Sequence, residues 1–252
     1  MKRTLGFSIR LMTLVAVLAA ALPVMASTDK TSGISDLTVK VLVESELARR
    51  GLAKNMIDVS VDDHIVTLSG TVSTLAERER IEQTARKTDA VSGVQNNLMV
   101  GVASDMDIAK SVRKAILTNA NYDAFDWVDA QVDAGVVTLS GWVREPWRKS
   151  EFEKQMMNIA GVSKIDNEIK ELPLSTYDDE IRIRVARTLY GSSMFNRYAI
   201  QANPPIHIIV DHGRVVLKGF VANTMDRQVA ESMVRLNSLA LEVKNELQVE
   251  TN

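Results

Sequence analysis

The chain has 252 residues, of which 46% are hydrophobic and 25% are charged, and its formal net charge is −2 at pH 7. This composition excludes a disordered or fibrous chain, and the slight acidic excess argues against a nucleic-acid binder with a broad basic surface. The absence of cysteine excludes disulfides, thiolate chemistry, a lipid-modified cysteine and cysteine-based zinc sites.

Residues 1–26 have the order of a secretory signal peptide. Lys2, Arg3 and Arg10 form a basic region, and residues 11–22 form an apolar run. This run is short for a membrane span and is followed by a small residue, Ala26, at a suitable cleavage position. We predict a periplasmic protein cleaved after about Ala26, with an uncleaved N-terminal anchor as the alternative. Cleavage leaves 27 basic and 32 acidic side chains, a formal charge of −5.

The remainder of the chain repeats itself three times. Residues 65–72 match residues 136–143 at six of eight positions, and residues 215–221 are a more diverged copy. Each copy has a glycine, an aspartate eight residues before it and an asparagine 26 residues after it: Asp62, Gly70 and Asn96; Asp133, Gly141 and Asn167; Asp211, Gly219 and Asn245. Agreement at fixed offsets indicates tandem modules. We define module 1 as residues 34–102, module 2 as 104–172 and module 3 as 176–250.

The first helix of each module is predicted from apolar residues four positions apart, as in Val39, Val43 and Leu47. Ser104 and Ser175 are predicted to cap two of these helices. An alternating strand follows in each module, at residues 57–61, 128–132 and 206–210, and leads into a tight hairpin. The repeated aspartates are interpreted as turn residues that cap local amides: Asp62, Asp133 and Asp211.

The second strand carries the repeated glycine, and a second helix and a third strand complete the module. Thr74 with Glu77 forms a capping box, Pro146 suits a first helical turn, and Asn223 is a further cap. The predicted fold class is α+β, with three tandem α-β-β-α-β modules. Each module is a small three-stranded mixed sheet with two helices on one face and a right-handed crossover.

The three glycines fall on the inward face of the second strand. There a missing side chain would let the second helix approach closely, or would mark a bulge. No glycine-rich phosphate loop surrounds them. The linkers near residues 101–104 and 172–175 are short, so neighbouring modules are expected to touch. The outer sheet face of module 3 carries Ile209, Val216 and Phe220, which we interpret as a contact between modules or with a partner.

The strand motif, the element order and the closing Val-x-Asn-x-[Leu/Ile] pattern resemble the BON domain, the bacterial osmotically inducible protein Y and nodulation domain. The likeness covers about residues 34–250. Module 3 departs most, at Lys218, Ala240 and the Asn203–Pro205 loop. The resemblance implies binding rather than catalysis: BON modules are associated with periplasmic and osmotic-stress proteins, lipoproteins, secretins and channels, and are proposed to bind phospholipid.

The start of the second helix of module 2 is the candidate lipid site, because it combines tryptophans with cations. Tryptophan rings favour the bilayer interface, and cations pair with anionic headgroups. The candidate residues are Trp142, Arg144, Trp147, Arg148 and Lys149. A structural role is the alternative: Trp147 aligns with Ala76 and Met225 and is then turned partly into the core, and Trp142 then packs between modules.

No catalytic arrangement is recognised. The histidines are His64, His207 and His212, and no nucleophile can be assembled around them. A small metal site at His207, Asp211 and His212 has no counterpart in the other modules, so we predict no metal and no cofactor. We therefore predict a non-catalytic envelope-stress protein that binds anionic phospholipid peripherally. The alternative is a protein-interaction or chaperone-like module that binds envelope proteins.

Overall fold

The structure is a computed structural model that describes residues 33–53, 57–201 and 203–250. The predicted signal peptide lies outside the described residues. Within these ranges the chain forms three small mixed sheets flanked by helices, which confirms the predicted α+β class with repeated modules. None of the described helices is both long and apolar enough to cross a membrane.

Module 1 has the predicted element order. It consists of α1 (Asp36–Arg49), β1 (Ile57–Asp62), β2 (Ile65–Val72), α2 (Leu75–Arg86) and β3 (Gly93–Val100). Strand β2 lies in the middle of the sheet, antiparallel to β1 and parallel to β3. The hairpin and the helical crossover therefore follow the chain order that the sequence indicates.

Modules 2 and 3 repeat this plan with the last strand divided in two. Module 2 contains α3 (Asp105–Leu117), β4 (Trp127–Asp133), β5 (Val136–Val143), α4 (Pro146–Met156), β6 (Lys164–Asn167) and β7 (Lys170–Glu171). Module 3 contains α5 (Thr176–Tyr190), α6 (Asn196–Ala199), β8 (Ile206–Asp211), β9 (Arg214–Val221), α7 (Thr224–Asn237), β10 (Glu242–Asn245) and β11 (Gln248–Val249). The parallel register crosses each interruption unchanged.

Each module has its own hydrophobic core, built from the faces that the spacing predicts. In module 1 the buried face of α1 is Val39, Val43 and Leu47, which packs against inward residues of β2 such as Val66 and Leu68. The corresponding faces of α3 and α5 are buried in the same way. Burying about three large apolar side chains per helix, at about 1.5–3 kcal/mol each, accounts for the docking of these helices.

The predicted helix starts are confirmed. The side chains of Thr74, Ser104, Ser175 and Asn223 each accept a hydrogen bond from an amide in the first turn of the following helix. Pro146 occupies the first turn of α4, where its missing N–H costs nothing.

Helix α6 was not predicted. It lies in the longer connection between α5 and β8 of module 3, and its residue Tyr198 and the preceding Phe195 are buried in the module 3 core. The additional residues between α5 and β8 therefore enlarge the core of module 3.

The interpretation of the repeated aspartates as caps was wrong. The hairpin amides are bound by aspartates of the first helix: Asp36 accepts from Asp63 and His64, Asp105 from Ala134 and Gly135, and Asp178 from His212 and Gly213, at 2.7–3.1 Å. Asp62, Asp133 and Asp211 are instead the last residues of their strands. The turn residues that follow them have positive φ, which points the turn amides toward the start of the helix.

The repeated glycines lie where the second strand stops pairing with the first. Gly70 and Gly219 pair with the first residues of β1 and β8, and in module 2 the pairing continues one residue past Gly141 without a bulge. The atoms nearest to a Cβ at Gly141 or Gly219 do not belong to the second helix, so the close helix approach that we expected is not found there. The φ values of the glycines are +123° at Gly70, +117° at Gly141 and +105° at Gly219. A Cβ at Gly141 would lie 2.0 Å from the carbonyl oxygen of Trp127, the first residue of β4, and a Cβ at Gly219 would lie 1.9 Å from that of Pro205, the residue before β8. The glycine is therefore required by backbone conformation and by close strand approach.

The repeated asparagines join the last strand to the second helix. In each module the side-chain oxygen accepts from the amide two residues later, while the side-chain nitrogen donates to a glutamate of the second helix. The pairs are Asn96 with Glu82, Asn167 with Glu153 and Asn245 with Glu231, at 2.8, 3.1 and 3.3 Å. The sequence contains this signal as a constant spacing of fourteen residues, but the glutamates were not identified from it.

Candidate functional site

The start of α4 places one large aromatic side chain in solvent. Trp147 lies in the first helical turn, directly after Pro146, and is 50% exposed. One face of its ring lies 5.6 Å from the guanidinium of Arg148. The ring is therefore held by a neighbour and is not turned into the module 2 core.

Arg148 is not available to an external anion. It is buried and forms ion pairs with Asp126 and with Asp123, the latter at 3.1 Å. Burial raises the pKa of Asp126, opposed by a hydrogen bond from the Arg144 amide. Burial alone would lower the pKa of Arg148, but the carboxylates of Asp126 and Asp123 raise it above its ordinary value. The guanidinium thus neutralises a carboxylate inside its own module.

Asp126 also accepts a hydrogen bond from a backbone amide whose counterparts in modules 1 and 3 have different acceptors. The amide three residues after the repeated glycine needs an acceptor, since it lies between the end of β2, β5 or β9 and the next helix. The acceptor is a glutamate in module 1, an aspartate in module 2 and a tyrosine hydroxyl in module 3: Ser73 donates to Glu77, Arg144 to Asp126 and Ala222 to Tyr198. Arg148 therefore has a structural role as the partner of Asp126.

The other two cations differ in how they are held. The Arg144 guanidinium lies 5.8 Å from the Phe125 ring centre and 3.2 Å from a carboxylate oxygen of Glu145. The Lys149 carbonyl accepts from Asn167, and its side chain, which is half-buried, forms no ion pair among the described residues. Of the candidate residues, Trp147 is thus the most exposed, and Lys149 is a half-buried cation without an ion pair among the described residues.

Trp142 lies at the contact between modules 2 and 3. It projects from β5 beside Trp127, its partner on β4. The ammonium group of Lys218, from β9, lies 5.4 Å from the Trp142 ring centre and 6.0 Å from that of Trp127. Lys218, which distinguishes module 3 from the other copies, thus combines this cation–π contact with an ion pair to Glu246 at 2.5 Å.

His207 is buried at the same contact. Its Nδ1 lies 3.2 Å from the Asp123 carbonyl oxygen, and its ring stacks on Tyr122 at 5.1 Å. Burial lowers the pKa of His207 from 6.5 to about 4. His212 lies apart from it, in the hairpin turn beside Asp211. Among the described residues no group of three potential ligand side chains is placed to hold a metal ion.

The edge of β8 is occupied by module 2. The Ile208 amide donates to the Ala124 carbonyl at 2.6 Å, and Phe125 packs against the module 3 core. Ile209 is buried, whereas Phe220 is 39% exposed. Phe220 helps to line a groove of about 610 Å³ between the modules, together with Leu117, Pro204 and Pro205. The apolar outer face of module 3 is thus mainly an intermodule contact.

Modules 1 and 2 also touch, as the short linker predicts. The Ala76 amide donates to the Met157 carbonyl at 2.9 Å, and the Gly161 amide donates to the Ser73 carbonyl at 3.3 Å. Leu75 packs against the core of module 2.

Comparisons with known proteins give one family. The model of the BON domain matches residues 35–101, 104–173 and 193–251, so the third match begins after α5. No curated protein matches the chain.

Two structures of CdsD, a structural protein of the type III secretion system of Chlamydia trachomatis, are similar at 14% and 13% identity with a TM-score of 0.25. The first match covers 83% of this chain and 91% of the other, and the second covers 86% and 100%. The PrgH periplasmic domain is similar at 10% identity and a TM-score of 0.17, with 82% and 100% covered.

Proposed function

Because the chain belongs to the BON domain family, which points to a periplasmic or envelope-associated, non-enzymatic module, we propose that it binds phospholipid surfaces peripherally. The contact is made by the exposed start of α4, with Trp147 at the membrane interface and Lys149 beside it. The protein acts after export and cleavage near Ala26, in the response of the envelope to stress.

The observation that supports this proposal most is the exposure of Trp147. Tryptophan is energetically favoured at the bilayer interface, where its ring is partly apolar and its N–H can be solvated. A half-exposed tryptophan in a first helical turn, with its ring backed by Arg148, needs no rearrangement of the core to reach a membrane. The equivalent residue of module 1, Ala76, is instead held in the contact with module 2.

The electrostatic part of the contact is local. The mature chain has a formal charge of −5, so an anionic membrane repels the protein as a whole. The attraction to an anionic membrane comes from Lys149. Arg144 adds to it when its guanidinium leaves Glu145 and binds a lipid headgroup. Each cation near an anionic surface contributes about 1 kcal/mol, so binding is weak and falls steeply with salt.

Flotation with liposomes tests the proposal. The exported protein is mixed with anionic or zwitterionic vesicles at low and at physiological salt, and the bound fraction is measured. We expect salt-sensitive binding to the anionic vesicles that is reduced several-fold by Trp147→Ala and by Lys149→Ala. The matched control is Leu37→Ala, at an exposed apolar position of module 1. Equal flotation of all variants, or none by the wild type, rejects the proposal.

A protein partner is the second candidate, supported by the edge strands. In module 3 the edge of β8 binds a turn of module 2 through the Ile208–Ala124 hydrogen bond. The equivalent residue of module 2 is Ala130, on the edge strand β4, and it lies in the 610 Å³ groove beside Phe220. We propose, as the second candidate, that an extended segment of an envelope protein adds to the edge of β4, where its carbonyl group displaces the Asp129 carboxylate as the acceptor of the Ala130 amide. Crosslinking from position 130 in intact cells tests this candidate, and a defined partner lost in Phe220→Glu supports it.

A further inference from the structure

The contact between modules 1 and 2 joins opposite ends of two equivalent units. Module 2 contributes the loop after α4, near its hairpin turn, and module 1 contributes the residues that lead from β2 into α2. Two backbone hydrogen bonds connect them, Gly161 to Ser73 and Ala76 to Met157. Leu75 adds an apolar contact with the module 2 core. The contact is therefore head-to-tail, and each module has one surface of each kind.

Module 3 presents the loop surface uncovered. Counted from the repeated glycines, Leu239 stands in the place of Gly161 and Leu241 in that of Ser163. We name Tyr177, Leu236, Leu239 and Leu241 the leucine tip. Leu241 is 76% exposed, and the Tyr177 hydroxyl donates to the Leu239 carbonyl at 2.7 Å, which holds the loop against α5. An ordered group of exposed leucines marks a contact surface rather than a solvated loop.

Module 3 also presents the receiving surface uncovered. Ala222 and Met225 stand in the places of Ser73 and Ala76, and both are exposed. Ala222 is small, as Ser73 is, and the flexible Met225 can adapt to leucine side chains. In module 2 the same places are taken by Arg144 and Trp147, so its start of α4 is bulkier and charged. Thr224 stands in the place of Leu75, so the apolar part of a contact at the start of α7 comes from Met225. The start of α7 is nevertheless closer in size and charge to the surface that module 1 uses than the start of α4 is.

We propose that the leucine tip of one molecule docks on the start of α7 in a second copy of this chain, by the contact that joins module 2 to module 1. The two surfaces lie at opposite ends of β9, so the pairing is heterologous. A heterologous contact that does not close into a ring continues to a third copy and beyond. Self-association through module 3 therefore grows with concentration and does not end at a dimer.

Sedimentation velocity of the exported protein, without lipid, tests this proposal over a range of concentrations. The weight-average mass of the wild type is expected to rise steadily. In Leu239→Glu/Leu241→Glu and in Met225→Glu the association weakens by at least about tenfold, because each change places a charge in the contact. Leu37→Glu, on α1 and 72% exposed, is the control for a surface leucine replaced by a charge. Circular dichroism verifies that each variant is folded.

Mixing the two variants separates direct pairing from indirect effects. The tip variant retains the start of α7, and the Met225 variant retains the tip, so one intact contact forms between them. The expected product is a 1:1 dimer and nothing larger. The proposal is overturned by a wild type that stays monomeric, by a wild type that stops at a dimer, by a mixture that forms no dimer, or by equal loss in Leu37→Glu.

Discussion

The buried imidazole of His207 makes the stability of the contact between modules 2 and 3 depend on pH. Burial lowers the pKa of His207 from 6.5 to about 4, because a charged ring would lose its hydration beside Tyr122 and Trp127. In the unfolded chain the His207 imidazole binds a proton below pH 6.5, whereas in the folded chain it stays neutral down to about pH 4. The contribution of the neutral ring to the free energy of unfolding is thus complete above pH 6.5 and is lost as the pH falls toward 4.

The size of this loss follows from the shift. A difference of about 2.5 pH units, at about 1.4 kcal/mol per unit, gives about 3.5 kcal/mol in full, of which about 3 kcal/mol is lost by pH 4, where the folded ring is half protonated. His207→Phe keeps a ring against Tyr122 and cannot be protonated, but it loses the hydrogen bond to the Asp123 carbonyl. That bond contributes about 1 kcal/mol. The variant should therefore be about 1 kcal/mol less stable than the wild type at pH 7 and about 2 kcal/mol more stable at pH 4.

Urea unfolding followed by tryptophan fluorescence measures both proteins at each pH. The quantity to compare is the difference between their free energies of unfolding, since the carboxylates titrate alike in both and cancel. A crossing of the two stability curves between pH 7 and pH 4 supports the assignment. Curves that remain parallel refute it, because the ring would then carry the same charge in the folded and unfolded states.

Three substitutions test the internal connections. Arg148→Met leaves Asp126 buried without its cation and should lower the free energy of unfolding by about 3–5 kcal/mol in urea titration. Gly141→Ala should cost at least about 2 kcal/mol, since φ is +117° and the new Cβ would lie 2.0 Å from a carbonyl oxygen. Asn167→Ala removes the acceptor of the buried Ile169 amide, should cost about 1–3 kcal/mol, and should speed hydrogen exchange at that amide.

Matched controls accompany these variants. Gly33→Ala places a Cβ where no atom lies within 4 Å and should be nearly neutral. Arg148→Met combined with Asp126→Asn removes both charges, keeps an acceptor for the Arg144 amide and should recover much of the stability lost by the single change. Equal losses in the single and double variants would contradict the buried ion pair, and a neutral Gly141→Ala would contradict the strand geometry.

The modules could be predicted because their signals are local and repeated. The buried face of α1 follows from apolar spacing alone, and a helix cap such as Thr74 is set by the residues beside it. Position in the repeat also identified Trp147 as a residue at the start of a helix. These features depend on neighbours in sequence, which a periodic pattern records directly.

The connections between distant elements could not be predicted. Nothing in the local sequence distinguishes Asp36, which binds the hairpin, from Asp62, which does not. From the sequence alone Arg148 resembles a surface cation, because its buried partner Asp126 lies 22 residues earlier in the chain. His207 stands beside a hairpin in sequence and is buried only because module 2 covers β8. Each of these side chains is defined by a packing partner and not by its spacing.

The fluorescence of Trp147 in contact with vesicles tests the proposed function most directly. Trp127→Phe/Trp142→Phe leaves Trp147 as the only tryptophan of the chain. On addition of anionic vesicles at low salt, its emission should shift to the blue and be quenched by brominated acyl chains, and both effects should reverse at high salt. An unchanged emission, with vesicles present and the protein folded, would contradict the membrane contact.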